Sequence, residues 1–519
     1  MKRGLLILWC VMCVWIGASA TVPPRTRKAG GEGSAQAFRA PWMQSERRAA
    51  LQQDAPLRSL GVQRIPVVLV EFADLHFQVA TSPEDLRVFY DKFCNGTRDG
   101  ILYTGAGSYG SVRDYFVQQS DSLFLPEFDV FGPVTLSSGY AYYGKDNGSI
   151  HDVNINTFVT QAVLGAQELA IDWTKYDNDG DGKVDMVYFI YAGEGENGCE
   201  DKNTIWPHGK VNDRTIGSQT YGAYSCSNEL YLGTTDGIGT MCHEMGHNIG
   251  LPDFYDTQGK EYGMDYWDIM DSGCYCSKGT YPCGYSAYEK DFMGWRKLVD
   301  LTRDEDVTLT LQPISAGGIG YRMRNPDNEH EYYILENRQN IGWDMYIGRG
   351  TLAQLRHGML VTHVDYSVSR WTYNNVNTSP NHPCFTIIPA DGDVYSYSLV
   401  ETDDELEVWK LSADGDLFPG SKRVTNLFAD RQPIYTKSAS MHQPLTNICE
   451  HEDGSMTLTV CRFADVNGDG TVDTQDVLAI YRYIQTQENP KSHAQEDVNG
   501  DQIVDSQDVL KVYDYMVGK

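Results

Sequence analysis

The sequence predicts a multidomain chain: an α/β unit first, a β-rich companion second, and a small all-α calcium-binding unit at the end. Three observations carry this. Apolar strands alternate with helical periodicity between about residues 65 and 190, short alternating segments separated by turns follow beyond 306, and a repeat with a period of 32 residues fills the C-terminal tail.

At 519 residues the chain is too long for one ordinary domain, and 41% apolar with 12% aromatic residues is ample for buried cores. Its first twenty residues differ from the rest. Lys2-Arg3 precedes an apolar run from Leu5 to Ile16, and Ala18-Ser19-Ala20 supplies a small-x-small cleavage pattern. The run falls short of the ~20 apolar residues that span a bilayer, so residues 1–20 are expected to be a signal peptide. The mature protein is then secreted, extracellular and free of membrane insertion. Residues 21–62 hold seven Arg/Lys against three Asp/Glu and little periodicity, and fit a linker or a short pro-segment equally.

The formal charge is −29, becoming −31 once Lys2 and Arg3 are removed, which argues against nucleic acid and anionic membrane as partners. Ten cysteines outside the leader in an exported chain suggest several disulfides. Cys449 and Cys461 flank a hairpin, and Cys274, Cys276 and Cys283 cluster. A structural zinc site at that cluster is the weaker reading, since no paired C-x-x-C spacing accompanies it.

Order is expected to begin with a buried strand at 65–72, marked by its β-branched run. Ile155, Val159, Ala162, Val163, Ala166 and Leu169 recur at helical spacing within 153–170. An Asp-rich loop follows, then a strand at 184–190. The β-rich unit is marked by 307–311, 331–335 and 359–364. These signals divide the chain at 63–305, 306–462 and 463–519.

Chemistry concentrates at His243-Glu244-Met245-Gly246-His247. Positions four apart share one helix face, so two imidazoles can meet one zinc while Glu244 reaches the water beside it as general base. Gly250 and Pro252 end the helix promptly, which lets Asp253 fold back as third ligand. Asp256 and Glu261 are close enough in sequence to compete for that role. Cys242 reads as an ordinary buried helix residue.

The segment 243–253 resembles the core of the immune-inhibitor-A-type metallopeptidases. So do Ile205-Trp206-Pro207-His208, Tyr266-Trp267-Asp268-Ile269-Met270, Ser286-Ala287-Tyr288-Glu289 with Gly294-Trp295, and Asp365-Tyr366 with Trp371 and Asn375. The resemblance covers roughly 64–430. It implies a zincin fold, an active-site cleft, endolytic cleavage of proteins, one catalytic zinc and a Met-turn at Met270. Ser272 stands where the related pattern has tyrosine, so no residue is assigned to stabilise the oxyanion.

Asp177, Asp179, Asp181 and Asp185 alternate along a loop with Gly182 at its turn, the pattern of a hard-cation site, and calcium there would stiffen the catalytic domain. In the tail, Asp465, Asn467, Asp469, Thr471, Asp473 and Asp476 occupy the ligand positions of a twelve-residue calcium loop. Asp497, Asn499, Asp501, Ile503, Asp505 and Asp508 repeat them. Each loop is followed by one helix. Loop-helix twins ending in Asp resemble dockerin domains, which implies two calcium ions and docking onto a cohesin through Thr474, Gln475, Ser506 and Gln507. Gln502 replaces glycine at position six of the second loop. The favoured reading is a secreted zinc endopeptidase tethered to an assembly. The alternative is a non-catalytic assembly or adhesion component with a decayed peptidase domain, against which an intact Glu244 speaks.

Overall fold

The computed structural model describes residues 18–20, 55–96, 105–148, 150–199, 201–259, 262–325, 328–351, 354–379, 382–427, 443–467, 469, 471–486, 496–499 and 503–518. Most of the expected leader, the linker up to 54, Glu261, Asp501 and Gln502 lie outside them.

A seven-stranded mixed sheet organises the first unit. Its strands are β1 (Ala18–Ala20), β2 (Gly61–Glu71), β3 (Phe124–Thr135), β4 (Val184–Glu194), β5 (His208–Ile216), β6 (Gln219–Tyr231) and β7 (Thr234–Thr235). The order is β1-β5-β6-β4-β2-β3, with β7 on β6. β2, β3, β4 and β6 run parallel, whereas β5 is antiparallel to β6. Side chains alternate across a strand, so Val67 and Leu69 enter one core while Val68 and Val70 enter the other. Helix Ile155–Gln167 covers the second core with Phe158, Val159, Ala162, Val163 and Ala166. Helices Pro83–Asn95, Val112–Gln119 and Gly239–Asn248 cover the first.

Local chemistry sets these helix starts. Ser82 accepts from the Asp85 amide, with Pro83 in the first helical position, and Ser111 with Asp114 forms a reciprocal capping box.

The second unit holds β8 (Val299–Asp300), β9 (Val307–Leu311), β10 (Tyr321–Arg324), β11 (Glu331–Arg338), β12 (Gly358–Asp365), β13 (Phe385–Ile387), β14 (Leu445–Glu450) and β15 (Met456–Val460). They make a five-stranded sheet, β13-β12-β11-β10-β8, and a three-stranded one, β14-β15-β9. The unit is not purely β: a Thr402–Glu405 capping box starts the helix Asp403–Asp416, which buries Trp409. On β11, Tyr332 and Ile334 join the core of the first unit, while Tyr333 and Leu335 join a core of their own sheet. The expected divide at 305/306 therefore crosses a continuous core. Leu57, inside the segment expected as linker or pro-segment, is buried in that same core.

The several disulfides expected from export are absent: all ten cysteines from Cys94 to Cys461 are unbridged. Seven of them are buried, so packing as small apolar side chains accounts for them in a chain whose cores need no covalent staple. Among the described residues no helix is long and apolar enough to cross a membrane.

The tail forms helices Thr474–Thr486 and Ser506–Met516 around Val466, Ile480, Val498 and Val512. Arg303 stacks its guanidinium 3.7 Å from the Phe463 ring, and Tyr515 donates to Asp304, joining the tail to the second unit.

Candidate metal centre

His243, Glu244 and His247 project from helix Gly239–Asn248, a fully buried helix under the sheet. Its glycine at 246 is dictated by packing: a Cβ there would come within 2.5 Å of Met270 Sδ. The helix closes at Gly250, whose φ of +114° suits glycine, and the Leu251 amide donates back to Gly246. The chain then reverses through Pro252 and brings Asp253 under the two histidines.

The three groups converge. His243 Nε2 and His247 Nε2 lie 3.1 and 3.3 Å from Asp253 Oδ1, and the imidazole rings stand at 89° to one another. Each histidine uses its other nitrogen to donate to a carbonyl, His243 Nδ1 to Ile269 at 2.8 Å and His247 Nδ1 to Leu251 at 2.9 Å. That leaves both Nε2 lone pairs facing the carboxylate, the tautomer a metal requires. His243 Nε2 and Asp253 Oδ1 are buried and make no hydrogen bond. Two imidazoles and a carboxylate, pre-oriented around one point, fit a zinc ion.

Electrostatics agree. Burial alone would raise Asp253, but the two imidazoles that face it outweigh burial and hold its carboxyl at about 2. Burial lowers His243, so the imidazole is kept as the neutral ligand form.

Asp256 is turned away and accepts from the Gln258 amide instead. Of the competing third ligands, Glu261 lies outside the described residues, and Asp253 is the one brought to the histidines. Met270 is fully buried beneath Gly246, and its carbonyl accepts from the Phe254 amide. The 269–270 backbone thus holds both His243 and the ligand loop.

Sequence reasoning missed two neighbours. Asn374, 121 residues beyond Asp253, accepts from its amide at 2.7 Å and donates to its Oδ2 at 2.5 Å. The adjacent Asn375, quoted above for its resemblance, has its amide bonded to Arg370. Tyr255, two residues past Asp253, has its phenol pushed well above its ordinary value by burial and then by Asp253 and Glu244, so it remains a protonated donor.

Glu244 points toward the edge of the sheet, where a Cβ at Gly209 of β5 would come within 3.5 Å of its Oε2. β1 pairs antiparallel with that same stretch, Ala18 to Lys210, Ser19 to Gly209 and Ala20 to His208. This edge accepts an extended chain directly beside the helix.

The other predicted sites are placed as follows. Asp177, Asp179 and Asp185 gather their carboxylates within 4.8 Å of one another. Asp181 instead pairs with Lys183 at 3.3 Å. Asp177 accepts from the amides of Gly180, Asp181 and Gly182, which curls the loop. In the tail, Asp476 accepts from Asn467 and Asp473, and Asp508 accepts from Asn499 and Asp505, so the two loops repeat one hydrogen-bond pattern. Asp469 donates its amide to Asp465 and Thr471 donates to Asp469. Asp497 is buried and Ile503 exposed, while Thr474, Gln475, Ser506 and Gln507 are all exposed at the helix starts. Asp501 and Gln502 lie outside the described residues.

Comparison with known proteins accords with this geometry. Residues 59–297 match the model of the immune inhibitor A peptidase M6 catalytic domain, and residues 463–517 match the type I dockerin domain. The chain is 26% identical over 272 residues to the pre-pro-metalloprotease PrtV of Vibrio cholerae serotype O1, covering 44% of this chain and 29% of that protein. It is 26% identical over 284 residues to immune inhibitor A of Bacillus thuringiensis subsp. alesti, covering 46% and 41%. The matches thus span under half the length of each of these relatives.

Proposed function

We propose that this chain, which carries a peptidase M6 catalytic domain and a type I dockerin domain, is a secreted, zinc-dependent endopeptidase of zincin fold, held by its tail in a cohesin-bearing assembly. The observation that carries the reading is the convergence of His243, His247 and Asp253 on one point with Glu244 on the same helix.

His243 Nε2, His247 Nε2 and Asp253 Oδ1 would hold the zinc, which would supply a Lewis acid for the peptide carbonyl and lower the pKa of water toward about 7. Glu244 takes the proton of the attacking water and returns it to the amine of the leaving peptide. A substrate in extended form adds to β5 by main-chain hydrogen bonds, as β1 does, which lays its backbone beside Glu244 and does not require a chain terminus. Internal cleavage follows from that mode of binding.

Calcium belongs to the tail loops and to the group formed by Asp177, Asp179 and Asp185. The exposed pairs Thr474-Gln475 and Ser506-Gln507 present the same chemistry twice, and a cohesin is the partner they suit. The reading is tested by digesting a denatured protein with the mature chain, with and without a chelator, and by restoring activity with zinc. Persistent cleavage in the zinc-free protein would remove the reading.

A further inference from the structure

A second acidic group lies away from both the zinc centre and the calcium loops. Asp146 Oδ1 accepts from the Asp152 amide at 3.0 Å, and Asp152 Oδ2 accepts from the Trp206 amide at 3.0 Å. The remaining oxygens, Asp146 Oδ2, Asp152 Oδ1 and Glu196 Oε2, are buried and accept no hydrogen bond. Asp152 and Glu196 are 4% and 6% exposed, and the Asp146 side chain 5%.

His151 is the one basic group in ion-pair contact with them among the described residues. Its Nδ1 sits 3.1 Å from Asp146 Oδ2 and 3.7 Å from Glu196 Oε2, while 58% of its side chain is exposed. One solvent-facing imidazole is the only cation beside the Asp146 and Glu196 oxygens among the described residues, and a buried carboxylate that stays ionised needs a paired charge or a bound cation. The ligand atoms of Asp146, His151 and Glu196 all lie within 4.8 Å of one another. That span is about twice a calcium–oxygen bond.

We propose that Asp146 and Glu196, with Asp152 bonded beside them, form a site for a hard divalent cation, calcium, and that His151 occupies the cation's place until the ion displaces it. Oxygen donors without a thiolate favour a hard ion, and the exposed imidazole is free to swing outward. The site also has a purpose in the fold. Asp152 holds the Trp206 amide, the Trp206 carbonyl accepts from His208 Nδ1 at 2.7 Å, and His208 opens β5. An ion here fixes the start of the strand that flanks Glu244. The inference does not depend on the proteolytic reading.

The test uses the full chain with Glu244→Ala to prevent self-digestion, dialysed at fixed free calcium, with bound calcium counted by atomic emission. Asp152→Asn with Glu196→Gln should bind one calcium fewer per chain. Asp177→Asn should remove a different one, and the losses should add. His151→Gln should keep the count. The Trp206 ring lies 6.1 Å from that of His151, so terbium in the site should emit on tryptophan excitation, and Trp206→Phe should remove that emission while calcium binding persists. An unchanged calcium count in the double variant, or terbium emission unaltered by Trp206→Phe, overturns the site. Loss of manganese or zinc in place of calcium, or loss of the ion in His151→Gln, overturns the hard-ion assignment.

Discussion

Asn374 clasps Asp253 from both sides: its Oδ1 accepts from the Asp253 amide at 2.7 Å and its Nδ2 donates to Asp253 Oδ2 at 2.5 Å. Asn374 holds a left-handed backbone, φ +52°, a conformation asparagine adopts more readily than most residues. The clasp leaves Oδ1 of the carboxylate turned to the histidines. Removing such an outer partner typically costs about 10–100-fold in metal affinity. Asn374→Ala should weaken zinc binding by that order in competition with a chelator, while activity per bound zinc stays near the parent's. Equal zinc affinity in the two proteins would show that the clasp does not orient the ligand.

The converging atoms belong to His243, His247 and Asp253, and Glu244, proposed above as the general base, is not among them. Glu244→Ala should retain one zinc per chain and lose about 10²–10⁴-fold in rate of casein digestion. Parent-like digestion at equal zinc content would refute its role as base.

Asp253→Ala should behave differently, losing zinc and activity together, because a carboxylate ligand is removed. Asp256→Ala should keep its zinc, as Asp256 serves the Gln258 amide. Metal analysis after dialysis separates these outcomes, and zinc loss confined to Asp256→Ala would reassign the ligand.

His208 gives the protein an acid-sensitive joint. Burial lowers its pKa to about 4, while Nδ1 donates to Trp206 and Nε2 accepts from Tyr224. An unfolded histidine titrates near ~6.5, so the unfolded chain takes up the proton first. The stability contributed by neutral His208 is therefore complete above ~6.5 and is lost as pH falls toward 4, by roughly 3 kcal/mol in all. Thermal melts of the Glu244→Ala chain between pH 7.5 and 4 should show this fall, and His208→Gln should flatten it. An equal slope in both proteins would place the acid sensitivity elsewhere.

In the tail, position six of the second loop carries Gln502 where the first carries Gly470. A left-handed turn costs a residue with a Cβ roughly 1 kcal/mol. Calcium should fill the first loop at lower concentration than the second, and Gln502→Gly should bring the two affinities together. Calorimetric titration in an Asp177→Ala, Asp152→Asn, Glu196→Gln background reads both. Two equal sites in the parent would show that position six does not limit the loop.

The cluster of His243, His247 and Asp253 was legible in the sequence because its parts are local. His243, His247, Gly250 and Asp253 fall within eleven residues, and their spacing follows from helix geometry and a single reversal. The strands at β2, β4, β9, β11 and β12 were legible from β-branched or alternating runs. Asn374 was not, because 121 residues and a second sheet separate it from its partner. Asp181 looked like a ligand from its alternation, yet Lys183 two residues on draws it aside. The cysteines misled because export permits disulfides without requiring them. Asp146 and Glu196 carried no signal at all, being fifty residues apart and joined only by the loop before β5.

The continuous core described above sets what can be inherited separately. A fragment ending at 305 would keep His243, Glu244, His247 and Asp253 but forfeit Asn374, and would leave bare the faces that Tyr332, Ile334, Trp371 and Phe385 cover. The Phe254 ring, one residue from the ligand, stacks on Phe385 with centroids 3.9 Å apart. Gene rearrangement would thus transplant the His243, His247 and Asp253 cluster with its packing intact only together with the sheet that follows it. The tail has a small core of its own and holds the body through Phe463 and Tyr515, so exchanging it would cut far fewer contacts than a break at 305.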